Sequence, residues 1–187
     1  MKQRNLRIIG GNWRGRKVSF ADRAEIRPTP NRVRETLFNW LAPYIRGRRC
    51  LEPFAGSGIL SMEALSRGAA SVTVLDRDAP TLHHCQAEFE RFADAARYRC
   101  IRADASRWLA RCNEPAFDLV FLDPPFASGI LPSVCAQLVE RELLTPDGLL
   151  YLETSSGPDV DVERRFEVVK AGAAGDVRYG LWRLRDL

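Results

Sequence analysis

The chain has 187 residues, 45% hydrophobic and 28% charged, with a net charge of +4. Its length favours one domain with an appendage, and its composition excludes a disordered or collagen-like chain. No apolar run reaches the roughly 18–20 residues needed to span a bilayer, and Met1-Lys2-Gln3-Arg4-Asn5 leads into no apolar signal segment, so a cytoplasmic protein with no membrane partner is expected. Five widely spaced cysteines (Cys50, Cys85, Cys100, Cys112, Cys135) without a C-x-x-C pair read as reduced, buried thiols rather than a metal site. The adjacent histidines His83 and His84 read as surface residues, and no metal is expected. Charge is unevenly spread. Residues 1–49 carry 13 Lys/Arg against 3 Asp/Glu, a net +10, whereas residues 50–187 carry a net −6. A basic leading part on a mildly acidic body suggests a polyanionic partner.

In chain order, residues 6–20 hold two β-prone stretches around a Gly/Asn turn, a hairpin pattern. Residues 21–28 read as a loop. Thr29-Pro30 offers an N-cap followed by proline at the first helical position. Val33, Leu37, Trp40 and Leu41 then form one apolar helix face with Arg32 and Arg34 off it, and Pro43 and Gly47 end the helix. From residue 50, strands at 50–54, 71–76, 98–103, 117–122 and 148–153 alternate with helices near 58–67, 79–95, 105–112 and 131–142. That order predicts βαβ units and a mostly parallel sheet. The runs 165–170 and 177–184, separated by Ala-Gly-Ala-Ala-Gly, predict an antiparallel addition at the sheet edge. The division expected is a basic hairpin extension over residues 1–28 and an α/β domain over 29–187.

Two turns carry the chemistry. Glu52-Pro53-Phe54-Ala55-Gly56-Ser57-Gly58 joins a strand to a helix, where glycines admit a close ligand and the helix N-terminus favours an anionic group. Asp76 closes the next strand, 20 residues after Gly56, where a carboxylate can accept both hydroxyls of a ribose. Asp104 ends the third strand, placed either to accept an adenine amino group or to cap the following helix. With Glu52, three acids then end three successive strands, the edge where doubly wound sheets bind ligands. The second turn, Asp123-Pro124-Pro125-Phe126, directly follows the fourth strand. Its two prolines stiffen it, holding a carboxylate and carbonyls beside an aromatic ring.

Phe-Ala-Gly-Ser-Gly followed by Asp-Pro-Pro-Phe resembles S-adenosylmethionine-dependent methyltransferases that act on exocyclic amines of bases. More specifically, Arg7-Ile8-Ile9-Gly10-Gly11, Trp13-Arg14-Gly15-Arg16-Lys17, Arg27-Pro28-Thr29, the run Arg32–Leu41 and Gly175-Asp176-Val177-Arg178-Tyr179 resemble the bacterial family that methylates N2 of guanine 966 in 16S rRNA. Three positions depart from that family: Glu52 stands where it has Asp, Asn31 where Asp is common, and Arg77 where a hydrophobic residue packs on the adenine. The resemblance implies a Rossmann-like class I methyltransferase, working as a monomer on 16S rRNA or a small-subunit assembly particle, with S-adenosylmethionine as cofactor. It implies a cofactor site of Glu52, Phe54, Gly56, Gly58, Asp76, Arg77, Asp104 and Ala105, and a catalytic turn of Asp123, Pro124 and Phe126. RNA contacts would come from Arg7, Trp13, Arg14, Arg16, Lys17, Arg32 and Arg34. The alternatives are a DNA adenine-N6 or cytosine-N4 methyltransferase, which would want a larger target-recognition domain, an NAD(P)-dependent oxidoreductase, disfavoured by Ser61 at the third glycine position, and a non-enzymatic RNA-binding protein.

Overall fold

The computed structural model describes residues 3–21, 28–125, 129–155 and 160–185. They fall into two units, Met1–Ala103 and Asp104–Leu187. In the first, β1 (Gln3–Arg7) and β2 (Lys17–Ala21) pair antiparallel, Arg7 opposite Lys17, and a 3₁₀ turn at Gly11–Trp13 fills the loop. Helix α1 (Asn31–Leu41) follows. Its cap is the extended backbone of Pro30, with no side-chain bond, so Thr29 is not the N-cap that its residue type suggests. Thr29 is buried instead. The inward face of α1 comprises Val33, Leu37, Phe38 and Leu41, and it also takes in Arg34.

Strands β3 (Arg49–Glu52), β4 (Ser71–Asp76) and β5 (Tyr98–Arg102) are parallel in the order β5-β4-β3, linked by α2 (Ile59–Ser66) and α3 (Ala79–Glu90). Helix α2 is buried on every side, as its apolar circumference requires, so its polar members Ser61, Glu63 and Ser66 are buried too. Helix α3 starts on Asp78, whose carboxylate accepts from Thr81 N at 2.9 Å, and its Phe89 stacks on Tyr98 at 5.2 Å. His84 is half-buried rather than a free surface residue: its Nε2 lies 3.0 Å from Ser19 Oγ, which donates to Glu88 at 2.6 Å. This joins the hairpin to α3.

The second unit holds α4 (Ala105–Arg111), β6 (Phe117–Leu122), α5 (Leu131–Glu140), β7 (Leu144–Thr154), α6 (Val160–Arg165), β8 (Phe166–Ala174) and β9 (Val177–Leu184). β6 and β7 are parallel, and β9 and β8 add antiparallel in the order β6-β7-β9-β8. The mostly parallel sheet, its antiparallel edge and the leading hairpin are therefore as expected. Differences lie in the details. β7 begins at Leu144, opposite Phe117, with 145–148 bulged out before pairing resumes at Leu149. β8 runs through Ala171–Ala174, whose small side chains pair with 177–180, so the turn shrinks to Gly175-Asp176. The one-and-a-half turns of α6 are too short for a periodic signal. All five cysteines are free, four buried and Cys100 half-buried. Among the described residues no helix is long and apolar enough to cross a membrane.

Candidate cofactor turn and target-amine turn

The glycine-rich turn is tied to the strand beside it. Asp76 ends β4 with its Oδ2 accepting from Gly56 N at 3.1 Å and its Oδ1 from Asp78 N at 2.8 Å. The carboxylate is half-exposed. A carboxylate offers about four acceptor sites, so each oxygen keeps capacity for a further donor such as a ribose hydroxyl. Gly58 closes the turn onto Ala55 O at 2.7 Å with φ +68°, and a Cβ there would lie 2.3 Å from Cys85 Sγ, so only glycine fits. The Cys85 thiol is held well above its usual pKa by its hydrogen bond with Cys100 and by burial.

Glu52 is buried, and its Oε2 accepts from Ser61 N at 3.0 Å. The anionic group at the start of α2 is thus the protein's own carboxylate. Asp104 caps α4, its Oδ1 accepting from Arg107 N at 3.0 Å; its side chain is exposed, so the cap leaves the carboxylate capacity for a further donor, and Ala105 is buried behind it. Phe54 is half-buried and Arg77 exposed, with the Arg77 carbonyl accepting from Arg102 Nε at 3.5 Å. Within the first unit, the half-exposed acid at the end of β4 and the glycines of the turn bonded to it lie side by side.

In the second unit Asp123 directly follows β6, half-exposed, with Pro124 buried behind it and Pro125 exposed. Phe126 lies outside the described residues, as do residues 22–27 of the loop predicted at 21–28. Tyr151 and Glu153, two apart on β7, share a strand face; Tyr151 donates to Glu153 Oε1 at 2.8 Å. Burial, then the charges of Glu153 and Asp123, hold the Tyr151 phenol well above its usual pKa. The alternation Tyr-x-Glu at a strand end was the available signal for this hydrogen bond.

Of the expected RNA contacts, Arg7, Arg14, Arg16, Lys17 and Arg32 are exposed. Two expectations fail. Arg34 is fully buried and paired with Glu63 at 3.0 Å, so it cannot reach a phosphate. Trp13 is buried with its ring 5.7 Å from Phe92, so it is a packing residue and not a stacking platform for a base. Arg16 lies over Phe92 at 4.2 Å, which holds its guanidinium at the surface.

The architecture is the Rossmann-like fold of class I S-adenosylmethionine-dependent methyltransferases. Against known proteins, the profile of the family described as "Conserved hypothetical protein 95" matches residues 6–183, and the chain belongs to that family. It is 38% identical over 180 residues to the ribosomal RNA small subunit methyltransferase D of Haemophilus influenzae, covering 95% of this chain and 93% of that protein. A solved putative methyltransferase from Escherichia coli superposes with a TM-score of 0.87 at 36% identity, covering 97% and 98% of the two chains. The Thermus thermophilus 16S rRNA N2 G1207 methyltransferase, solved with AdoMet and guanosine, shares the fold, with a TM-score of 0.72 at 21% identity over 99% of this chain and 50% of that one.

Proposed function

We propose that the protein transfers a methyl group from S-adenosylmethionine to the N2 amine of a guanine in small-subunit rRNA, of the guanine 966 type. The observation that carries the reading is the Asp76 carboxylate, half-exposed and bonded to Gly56 N, in a chain that also holds Asp123-Pro124 at the end of β6. The near full-length identity to a named small-subunit rRNA methyltransferase supports the substrate class.

When bound, S-adenosylmethionine supplies an electrophilic methyl group on a cationic sulfur. Asp76 accepts the ribose hydroxyls, Asp104 the adenine amino group, and Glu52, Phe54, Gly56, Gly58, Arg77 and Ala105 complete the surround. Guanine N2 is a poor nucleophile because its lone pair is delocalised into the ring. The Asp123 carboxylate and the Pro124 carbonyl accept its two N–H groups and aim the nitrogen. Such alignment supplies roughly 7–11 kcal/mol of a barrier. Phe126 stacks on the extruded base, a contact worth about 1–3 kcal/mol. Residues 1–28 dock RNA through Arg7, Arg14, Arg16 and Lys17, with Arg32 adding from α1, and residues 29–187 form the catalytic domain, acting as a monomer. Transfer of labelled methyl from S-adenosylmethionine to naked 16S rRNA, 30S particles and duplex DNA tests the reading. Label in either rRNA arm and none in DNA is expected; label in DNA alone, or in none, overturns it.

A further inference from the structure

The hairpin is fastened to α2 by a buried polar cluster that the proposed reaction does not use. Glu63, fully buried, accepts from the backbone N–H groups of Ile9 and Gly10, from Arg34 Nη1 at 3.0 Å and from Arg67 Nε at 3.2 Å. Arg34 reaches onward, its Nη2 donating to Arg7 O at 3.1 Å and to Asn31 Oδ1 at 2.6 Å. One turn along α2, Ser66 Oγ donates to Gly10 O at 2.6 Å and accepts from Trp13 N at 2.9 Å. The fit is tight: Gly11 has φ +75°, and a Cβ there would lie 2.0 Å from Ser66 O. Every backbone group so held lies between Arg7 and Trp13, directly before Arg14, Arg16 and Lys17.

A hydrophobic contact would fix that loop as well, and with less cost than a buried ion pair. What the cluster adds is direction. Five hydrogen bonds from two α2 side chains, Glu63 and Ser66, and from Arg34 leave the loop one orientation. The helix that carries them begins directly after Gly58, and its eight residues make a rod about 12 Å long.

We propose that Glu63, together with Arg34 and Ser66, is a positioning residue for the RNA substrate: it locks the basic loop onto the helix that starts at the cofactor turn, so that the phosphate-gripping cations are held at a set distance from that turn. The inference rests on the reading of the protein as an rRNA methyltransferase.

The test uses the full chain, in-vitro transcribed 16S rRNA and S-adenosylmethionine, with E63Q as the direct variant. S66A is the second variant, because it removes two loop bonds without leaving a buried charge alone, and it carries the test if E63Q does not fold. RNA affinity is read by filter binding over a range of KCl concentrations, RNA KM and kcat by label transfer, and cofactor affinity by calorimetry. In each folded variant RNA KM should rise by about tenfold while kcat and cofactor Kd stay within about twofold, the split expected when orientation of the substrate alone is lost. The salt dependence of RNA binding should flatten, which a purely stabilising role would not cause. The proposal is overturned if folded E63Q and S66A keep the parent's RNA KM and salt slope, or if cofactor affinity falls in step with RNA affinity. The triple variant R14A/R16A/K17A locates a failure. If it weakens RNA binding while E63Q and S66A do not, the locking role alone is wrong. If it too is silent, the loop is no docking surface, and the reading beneath the proposal falls with it.

Discussion

On the proposed reading, Asp123 is the side chain on which the chemistry turns. Removing its carboxylate in Asp123→Ala deletes one of the two acceptors assigned to the target amine, whereas the Asp76 turn is left intact. Methyl transfer to rRNA should fall by about 10²-fold or more, the usual size for losing one preorganised polar group, with cofactor binding near normal. Asp123→Asn keeps one carbonyl acceptor and should lose less. Wild-type turnover in the Ala variant would reduce Asp123-Pro124 to a stiff turn. Gly58→Ala tests the other turn. A left-handed residue with Cys85 Sγ where its Cβ must go should lower stability by about 1–3 kcal/mol, read as a lower thermal midpoint, and weaken S-adenosylmethionine binding. These turn residues were legible because strand, glycines and acid follow at fixed spacing. Arg34 was not. Sequence periodicity counts an arginine as solvated, and its partner Glu63 lies 29 residues on, in another helix to which no local pattern links it.

At the scale of elements, the hairpin is where sequence and structure agree on position and differ on roles. Exposed Arg14, Arg16 and Lys17 should each release counterions from RNA phosphates, so replacing all three by Ala should weaken RNA binding and flatten its salt dependence, with cofactor affinity unchanged. Equal RNA affinity at every salt concentration would remove the hairpin from the interface. Trp13 shows why composition alone misassigns: an aromatic among arginines looks like a stacking platform, yet a 3₁₀ turn rotates it inward onto Phe92. The parallel strands and long helices were readable from alternating apolar runs, because a strand covered on both faces must be apolar throughout. The bulge at 145–148 was not, since it is set by pairing with β6 rather than by local pattern, and the six-residue α6 was not, since it is too short to show a period.

For the whole molecule, a cofactor that binds only the folded chain must stabilise it. S-adenosylmethionine at 100 times its Kd should add about 2.7 kcal/mol and raise the thermal midpoint, and NAD should not. A rise with NAD alone would return the glycine-rich turn to the oxidoreductases that its spacing also resembles. The most direct measurement of the central claim is the identity of the methylated nucleoside. 16S rRNA, free or in 30S particles, is incubated with the protein and S-adenosylmethionine, digested to nucleosides and resolved by mass spectrometry. A single new N2-methylguanosine, absent with Asp123→Ala, is the predicted result. Methyl on adenine N6 or cytosine N4, or no methyl on rRNA at all, would contradict it.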